Sequence, residues 1–339
     1  MAGRVVCFGE LLLRLGAPGR QLLLQSPQLE VHVGGAEANV AVSLAKLGHD
    51  AAMVGAVADN ALGEAALGEL RRHGVDTRGV QKADGRMGLY FLTPGAGQRP
   101  SEVLYDRAAS AFVVAGGGEH DWPALLRGAG WLHVSGVTPA LGRNTADATL
   151  AAMRAARAAG AKVSFDGNFR PKLWQAWAGD AAGILRGLFA EADLAFANER
   201  DIEIVLGRRF GQGDAKQRFR AAAEAAFAAF PNLRRMAATV RGQVNVDHHV
   251  LSALDASRDG AGHETPRHEV GPIVDRIGTG DAFAAGVLHG VLAGMDDGAG
   301  LEFGLAAACL KHSVPGDFSP LGEADIRAYA AGEGFGVRR

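Results

Sequence analysis

Cysteine is scarce in this 339-residue chain, which contains only two. Cys7 and Cys309 lie far apart, with neither a CxxC spacing nor a nearby histidine pair, so the sequence excludes a disulfide framework and a cysteine-based zinc site. We expect both to be buried thiols in a reducing compartment.

An excess of charge of one sign and long apolar runs are also missing. The formal net charge is −2, from 35 basic and 37 acidic residues that are interspersed, which leaves no electrostatic footprint for DNA, RNA or an anionic membrane surface. Glu10 and Arg14 interrupt the apolar start of the chain, and no run approaches the roughly 20 apolar residues of a membrane-spanning helix. We therefore expect a soluble cytoplasmic protein that binds neither nucleic acid nor membrane.

What the chain does have is enough apolar material for a large core, since 48% of its residues are hydrophobic. Short β-type runs recur ahead of Ala-rich helical stretches, which is typical of a parallel sheet covered on both faces. The sequence predicts a doubly wound, three-layer α/β/α fold with no linker. The expected strands are 5–9, 52–57, 131–135, 162–166, 194–196 and 236–240, and the expected helices are 37–47, 62–73, 145–159, 183–191 and 215–230.

Two regions break this alternation. Residues 11–33 and 86–114 alternate between apolar and polar positions without a helix between them. We expect them to form a small antiparallel sheet, apart from the main layer, that serves as a lid.

One segment that carries chemistry is DRIGTGDAF, residues 275–283, which leads into a helical pattern. Glycines at the mouth of a helix leave backbone N–H groups unobstructed, and the helix N-terminus carries partial positive charge. Gly278, Thr279 and Gly280 are therefore a candidate anion hole. Asp281, at the start of that helix, would lie beside a bound phosphate and could accept the proton of an attacking hydroxyl. Capping of the helix by Asp281 is the alternative.

A second segment is GGAEANVAVSLAKLG, residues 34–48. The pair Gly34 and Gly35 ahead of a helix lets the backbone approach a ligand closely, and Asn39 adds polar atoms on the same side. A plain turn before a helix would look similar.

Together, in this order and spacing, the two segments resemble those of the ribokinase-like, or PfkB, carbohydrate kinases, and the resemblance runs through nearly the whole chain. It implies a single kinase domain over residues 1–339, with a Rossmann-like core and a β lid that enclose a sugar. It also implies ATP as the phosphoryl donor, with Mg²⁺, and Asp281 as the catalytic base. Gly278 and Gly280 would then contact the phosphates of ATP.

Two further segments concern the nucleotide. The run Asn198, Glu199, Arg200 and Asp201 resembles the N-x-x-E pattern that this family uses around magnesium and phosphate, with Asp201 in place of Glu. Asn198 is therefore a candidate ATP ligand and Asp201 a candidate indirect Mg²⁺ ligand, although a helix cap is the alternative. The other segment departs from the family's G-x-x-G because its second glycine is an asparagine. Its candidate ATP contacts are Thr239, Arg241 and Gly242.

The sugar side rests on three segments. DGNFRPKLW at 166–174 resembles a run of fructokinases and 2-keto-3-deoxygluconate kinases, whereas a Y-x-R run at 105–107 and LKHSVPGD at 310–317 resemble segments of 2-keto-3-deoxygluconate kinases. Arginine suits a sugar carboxylate because its planar fork donates two parallel hydrogen bonds. The candidate sugar ligands are Gly34, Gly35, Asn39, Tyr90, Tyr105, Arg107, Arg170 and Asp317.

We therefore predict an ATP-dependent kinase that converts 2-keto-3-deoxygluconate to its 6-phosphate. Fructokinase or another sugar kinase is the alternative within the family. A sensor that binds sugar or nucleotide without catalysis, and a nicotinamide dehydrogenase, are alternatives of other classes. Similar kinases pair their lid sheets, so we expect a homo-oligomer, either a dimer through the lid or a larger assembly.

Overall fold

The structure is a computed structural model that describes residues 3–211 and 213–332. Its strands alternate with helices along most of the chain. The strands are β1 (Arg4–Phe8), β2 (Leu12–Gly16), β3 (Glu30–Gly34), β4 (Ala51–Ala58), β5 (Asp76–Ala83), β6 (Gly88–Thr93), β7 (Glu102–Asp106), β8 (Ala129–Ser135), β9 (Lys162–Asp166), β10 (Leu194–Phe196), β11 (Arg235–Asn245), β12 (His248–Ser257) and β13 (His268–Val270).

The α-helices lie between the strands or after the last strand in sequence, and pack against them. A short 3₁₀ helix, Pro139–Leu141, lies between β8 and α5. They are α1 (Ala36–Lys46), α2 (Ala61–Arg72), α3 (Ala111–Val114), α4 (Trp122–Leu125), α5 (Arg143–Ala158), α6 (Pro171–Gln175), α7 (Ala181–Glu191), α8 (Glu199–Leu206), α9 (Ala215–Ala229), α10 (Thr279–Leu292), α11 (Asp297–Lys311) and α12 (Glu323–Ala330).

The larger sheet has nine strands in the described part of the chain, in the order β13-β12-β11-β10-β9-β8-β1-β4-β5. From β11 to β5 all neighbours are parallel, and β12 and β13 add an antiparallel edge. One face packs against α5, α7, α8 and α9, and the other against α1, α2, α10 and α11. The predicted three-layer α/β/α core is confirmed.

The apolar runs explain why the central strands form where they do. All eight residues of β4 are buried, as expected for a strand covered on both faces. Winding proceeds from β1 outward to β5, and then resumes at β8 and proceeds the other way. In open α/β sheets, ligands bind at the carboxyl ends of the strands where the winding reverses, which here is between β1 and β8.

The second sheet has the order β3-β2-β6-β7 and joins the two segments predicted to form the lid. The pairs β2–β3 and β6–β7 are antiparallel, but the central pair β2–β6 is parallel, so the prediction of a purely antiparallel sheet is wrong. The reason is topological, because β2 and β6 follow the parallel core strands β1 and β5 and enter the lid in the same direction.

The predicted boundaries also need correction elsewhere. Residues 111–114 form α3, whose Ala111 and Phe112 are buried in the core, so the second lid segment ends before them. Sequence reasoning missed β5, β12 and β13. The first and last of these are polar strands at the edges of the sheet, where the periodic signal of a buried strand is weak.

The two cysteines are buried and unbonded, as predicted. Within residues 3–211 and 213–332, no helix has both the length and the apolar character needed to cross a membrane.

Candidate active site

A cavity of about 740 Å³ lies between the carboxyl ends of the core strands and the lid. It brings together most of the residues selected from the sequence. Those lining it are Gly35, Asn39, Tyr90, Tyr105, Arg107, Asp166, Asn168, Arg170, Asn198, Thr239, Arg241, Gly278, Thr279, Gly280, Asp281 and Asp317. Three candidates, Gly34, Asp201 and Gly242, are not among its lining residues.

The candidate anion hole is the start of α10. Gly278 precedes the helix with φ 77°, in the left-handed region that favours glycine. A Cβ at Gly278 would lie 2.1 Å from the carbonyl oxygen of Asp317, so no side chain fits. Ala282 donates its amide to the carbonyl of Gly278 at 2.9 Å, and the three preceding amides therefore have no helical acceptor. Those amides can bind an anion at the positive end of the helix.

Asp281 lies in the first turn of α10, at the floor of the cavity. Its Oδ2 accepts a hydrogen bond of 2.6 Å from Nδ2 of Asn39, which comes from α1. Burial raises the pKa of Asp281 to about 7, although Asn39 and the positive charge of Arg170 oppose the shift. A carboxyl group that titrates near neutral pH is suited to act as a general base.

Asp166 is a second carboxyl group close to this floor, at the end of β9. Burial raises the pKa of Asp166 well above its ordinary value, and the charges of Asp281 and Asp201 raise it further. The positive charge of Arg170 lowers the pKa of both Asp166 and Asp281, so this arginine lies close to both carboxyl groups. Its only side-chain hydrogen bond in the described chain runs to the adjacent carbonyl of Phe169, at 3.4 Å.

On the lid side, Asp317 contacts two polar side chains. Tyr90 donates its hydroxyl to Oδ2 of Asp317 at 2.6 Å, and Nε of Arg14 lies 3.1 Å from Oδ1. A Cβ at Gly34 would lie 2.2 Å from Oδ2 of Asp317, so Gly34 makes room for this carboxylate and does not itself line the cavity. Tyr105 pairs with Tyr90 across β6 and β7 and lines the same wall.

Arg107 is already engaged by a protein carboxylate. Its Nε donates to Oε2 of Glu10 at 2.6 Å, and Ser110 donates to the other oxygen of Glu10. Both Arg107 and Glu10 are buried, yet Arg107 also lines the cavity. Its two Nη atoms have no hydrogen-bond partner among residues 3–211 and 213–332.

The opposite wall of the cavity concentrates positive charge. Arg200, Arg241 and Arg276 line it, and none of their guanidinium groups has a hydrogen bond or ion pair within the described ranges. Burial lowers the pKa of Arg241, and the neighbouring charge of Arg276 lowers it further. Gly242 lies in the exposed part of β11, opposite Val250 of β12.

Asn198 and Asp201 form a capping box at the start of α8. Oδ1 of Asn198 accepts the amides of Arg200 and Asp201 at 2.8 and 3.3 Å, and Oδ2 of Asp201 accepts the amide of Asn198 at 2.9 Å. Burial raises the pKa of Asp201 to about 6. Asn198 faces the cavity, whereas Asp201 lies behind it, against Gly167.

Sequence reasoning missed several buried charges around this cavity. Glu37 accepts hydrogen bonds from Ser135 and Thr138, and Lys311 is 0% exposed with Nζ donating to the carbonyls of Val314 and Gly316. The others that were missed are Glu10 and Arg14, which are buried, and Asp275, which is partly buried. The sequence did indicate Glu10 and Arg14, because both interrupt an apolar run. It gave no indication of their partners Arg107 and Asp275, which lie far along the chain.

Comparison with known proteins places this arrangement in a family. The sequence model of the pfkB family carbohydrate kinases matches residues 2–323. The chain belongs to this family. As a carbohydrate kinase of this family it uses ATP, and the predicted family is confirmed.

This kinase has relatives that match it over nearly their full length. It is 33% identical over 343 residues to a 2-dehydro-3-deoxygalactonokinase of Haloferax volcanii, with 100% of each chain covered. It is 30% identical over 330 residues to a 2-dehydro-3-deoxygluconokinase of Bacillus subtilis, covering 93% of this chain and 91% of the relative.

Among solved structures, this kinase is similar to a 2-dehydro-3-deoxygluconokinase of Thermotoga maritima. The TM-score is 0.90 and the identity 38%, with 97% of this chain and 99% of the other covered. The lid and the core of this kinase thus have a solved counterpart over nearly their whole length.

Proposed function

We propose that this kinase phosphorylates a 2-keto-3-deoxy sugar acid, with 2-keto-3-deoxygluconate as the expected acceptor and 2-keto-3-deoxy-6-phosphogluconate as the product. The observation that carries the proposal is the position of Asp281 beside the amides of the anion hole, in a cavity whose lid side also presents Arg107. Two relatives and one solved structure named as kinases of such acids support the same class of acceptor.

The transfer uses groups of the chain at three points. Asp281 removes the proton of the acceptor hydroxyl, and Asn39 orients its carboxylate through the bond to Oδ2. The amides at the start of α10, at Thr279 and Gly280, stabilise charge that develops on the transferred phosphoryl group. Since Asp281 titrates near neutral pH, enough of it is deprotonated to act as a base.

Mg²⁺ is part of the proposal, because kinases of this type neutralise phosphate charge with a metal. No group of three or more His, Cys, Asp or Glu side chains in residues 3–211 and 213–332 is arranged to hold a metal ion by itself. Mg²⁺ bound to nucleotides usually keeps several waters and uses one or two carboxylates, so the pocket residues Asp166 and Glu199 fit this role. We propose at most an indirect role for Asp201, behind Asn198.

The sugar acid requires a cation for its carboxylate. Glu10 accepts the hydrogen bond of Nε of Arg107, so the two Nη atoms stay available for a ligand. They form the planar fork that suits a carboxylate. We propose that Arg107 and Arg170 bind the acid, with Tyr90, Tyr105 and Asp317 contacting other oxygens and with Gly34, Gly35 and Asn39 shaping the base of the pocket.

For the nucleotide we propose Asn198, Thr239 and Arg241 as contacts, together with Gly278 and Gly280 at the phosphates. Gly242 belongs to the same proposal, and it lies within a strand outside the lining of the cavity. We also propose that residues 1–339 act as one kinase domain and that lids pair in a homo-oligomer. Exposed apolar side chains on the lid, such as Val31 and Leu104, are compatible with that pairing.

The test is an ADP-release assay with 2-keto-3-deoxygluconate, its galactonate epimer and fructose. We expect kcat/KM for the acid to exceed that for fructose by at least about tenfold, a difference of about 1.4 kcal/mol. The double variant Glu10→Gln with Arg107→Met removes both charges of the buried pair, which avoids leaving one of them unpaired. Its preference for the acid should fall toward parity.

Arg20→Met is the matched control, because Arg20 is a half-exposed lid arginine that pairs with Asp247 and does not line the cavity. It should keep the wild-type preference. A wild type that prefers fructose would contradict the proposed acceptor, and equal losses on both substrates in the double variant would show that Arg107 supports the lid without contacting the carboxylate.

A further inference from the structure

Arg14 is a buried cation to which the transfer described above gives no role. It lies on β2 of the lid and is 2% exposed. Its Nη2 donates to Oδ2 of Asp275 at 2.7 Å, and its Nε lies 3.1 Å from Oδ1 of Asp317. Both carboxylates belong to core segments that flank the anion hole, so one lid residue joins the two.

Asp275 determines the path of the chain into the anion hole. Its Oδ1 accepts the amide of Ile277 at 3.0 Å, which fixes the turn immediately before Gly278. Its Oδ2 accepts the amide of Gly316 at 3.0 Å in addition to Arg14. A single carboxylate therefore ties together the turn before α10, the loop before Asp317 and the lid.

The position of that loop matters for the anion hole as well. The carbonyl oxygen of Asp317 packs directly against Gly278, and Nζ of Lys311 holds the carbonyl of Gly316 at 2.8 Å. Two carboxylates this close repel each other in a buried environment unless cations lie between them. Lys311 supplies one cation from the core, and Arg14 supplies the other from the lid.

We propose that Arg14 is a positioning residue for phosphoryl transfer, which holds Asp275 and Asp317 so that the anion hole and the sugar-side carboxylate take their working geometry when the lid covers the pocket. This role rests on the proposed function, and it acts through Asp275 without contact with either substrate. Since Arg14 links the lid to the turn before α10 through a buried ion pair, its loss should reduce turnover more than nucleotide affinity.

The experiment measures kcat, both KM values and the dissociation constant for ATP without sugar, in Arg14→Met, Arg14→Lys, Asp275→Asn and the double variant Arg14→Met with Asp275→Asn. We expect Arg14→Met to lower kcat by roughly 10- to 100-fold, less than the direct loss of an anion-hole donor, and to change the ATP dissociation constant by less than about threefold. Arg14→Lys should recover part of the loss. The double variant should lose no more than Asp275→Asn alone, because both changes act on one element.

Arg20→Met is the matched control, since Arg20 is a lid arginine that also pairs with a core aspartate, Asp247, but is half exposed. It should keep kcat within about twofold, the usual outcome for a surface pair. If Arg14→Met fails to fold, the double variant, which removes the pair, and Arg14→Lys still decide the question. The proposal would be overturned if the losses of kcat in the two single variants multiplied in the double variant. It would also be overturned if Arg14→Lys were as fast as wild type and Asp275→Asn kept the wild-type kcat.

The assay uses whichever acceptor the wild type turns over fastest. A wild type that prefers a sugar other than the acid therefore contradicts the proposed function alone, and the comparison among the Arg14 variants can still be made with that sugar.

Discussion

The two ends of the cavity differ in whether their buried or cavity-lining arginines are paired with protein carboxylates. At the sugar end, the two buried arginines are paired before any ligand arrives, Arg107 with Glu10 and Arg14 with Asp275 and Asp317, whereas the exposed Arg170 has no ion pair within residues 3–211 and 213–332. At the nucleotide end, Arg200, Arg241 and Arg276 line the wall without a partner in the parts of the chain that the structure describes.

The difference corresponds to what each end is proposed to bind. A sugar acid offers one charge and several hydroxyls, so it is distinguished by fixed donors and acceptors whose positions are set in advance. A triphosphate offers several negative charges, and arginines that lack protein partners can turn toward it. We infer that the sugar end provides selectivity and the nucleotide end provides affinity.

The largest effect is expected where the two ends meet. Asp281→Asn should lower kcat by roughly 10²- to 10⁴-fold, the usual contribution of a positioned general base, and leave both KM values nearly unchanged. Steady-state kinetics by ADP release measure all three. Near-wild-type turnover would mean that Asp281 only caps α10.

The same residue predicts the dependence on pH. Since the pKa of Asp281 is raised to about 7, kcat/KM of the wild type should rise with pH through that value and fall about tenfold per pH unit below it. In the folded protein this carboxyl binds its proton more tightly than in the unfolded chain, where the ordinary pKa is 3.8, so its ionisation lowers the free energy of unfolding as pH rises from about 3.8 to about 7, and the loss is constant above that. Asp281→Asn should lack the rising limb and be at least as stable as wild type at pH 8.

A smaller effect should isolate the nucleotide end. Arg276→Ala should raise KM for ATP about tenfold, in line with the loss of one charge-assisted contact to phosphate, and leave KM for the sugar unchanged. Arg220→Ala, an exposed arginine on α9 outside the cavity, is the control and should change neither value. An equal rise in both KM values would show that the two ends are not separable.

The smallest effect should isolate the sugar end. Tyr90→Phe removes the hydroxyl that donates to Asp317, at a cost of about 1 kcal/mol or roughly fivefold in KM for the sugar, with KM for ATP unaffected. Tyr329→Phe, on α12 away from the cavity, is the matched control. A change of KM for ATP alone in Tyr90→Phe would contradict the division between the ends.

Local patterns explain what the sequence could predict. The central strand β4 follows from a continuous apolar run, and the glycines before α10 predict an anion hole because backbone exposure and helix dipole act within a few residues. The polar edge strands have no comparable pattern. Their position depends on pairing with a neighbouring strand. A short stretch of sequence carries no information about that pairing.

The charge pairs of the site lie beyond such patterns. Arg107 and Glu10 are 97 positions apart, and Arg14 and Asp275 are 261 apart. The type of residue predicted an acid-binding role for Arg107, yet nothing nearby in sequence indicated that a buried glutamate would hold one of its nitrogens. Tertiary folding alone determines which arginines are left without a partner.

The tight packing around Asp317 restricts how this enzyme can evolve. Its carboxylate fills the space beside Gly34 and its carbonyl oxygen fills the space beside Gly278, with 2.2 and 2.1 Å to the nearest Cβ that either glycine could acquire. A side chain added at either glycine collides with Asp317, so adaptation to a different sugar has little freedom in the core. The half-buried lid residue Tyr105 has more space around it. New acceptors should therefore be reached by exchanging side chains of the lid while the core stays constant.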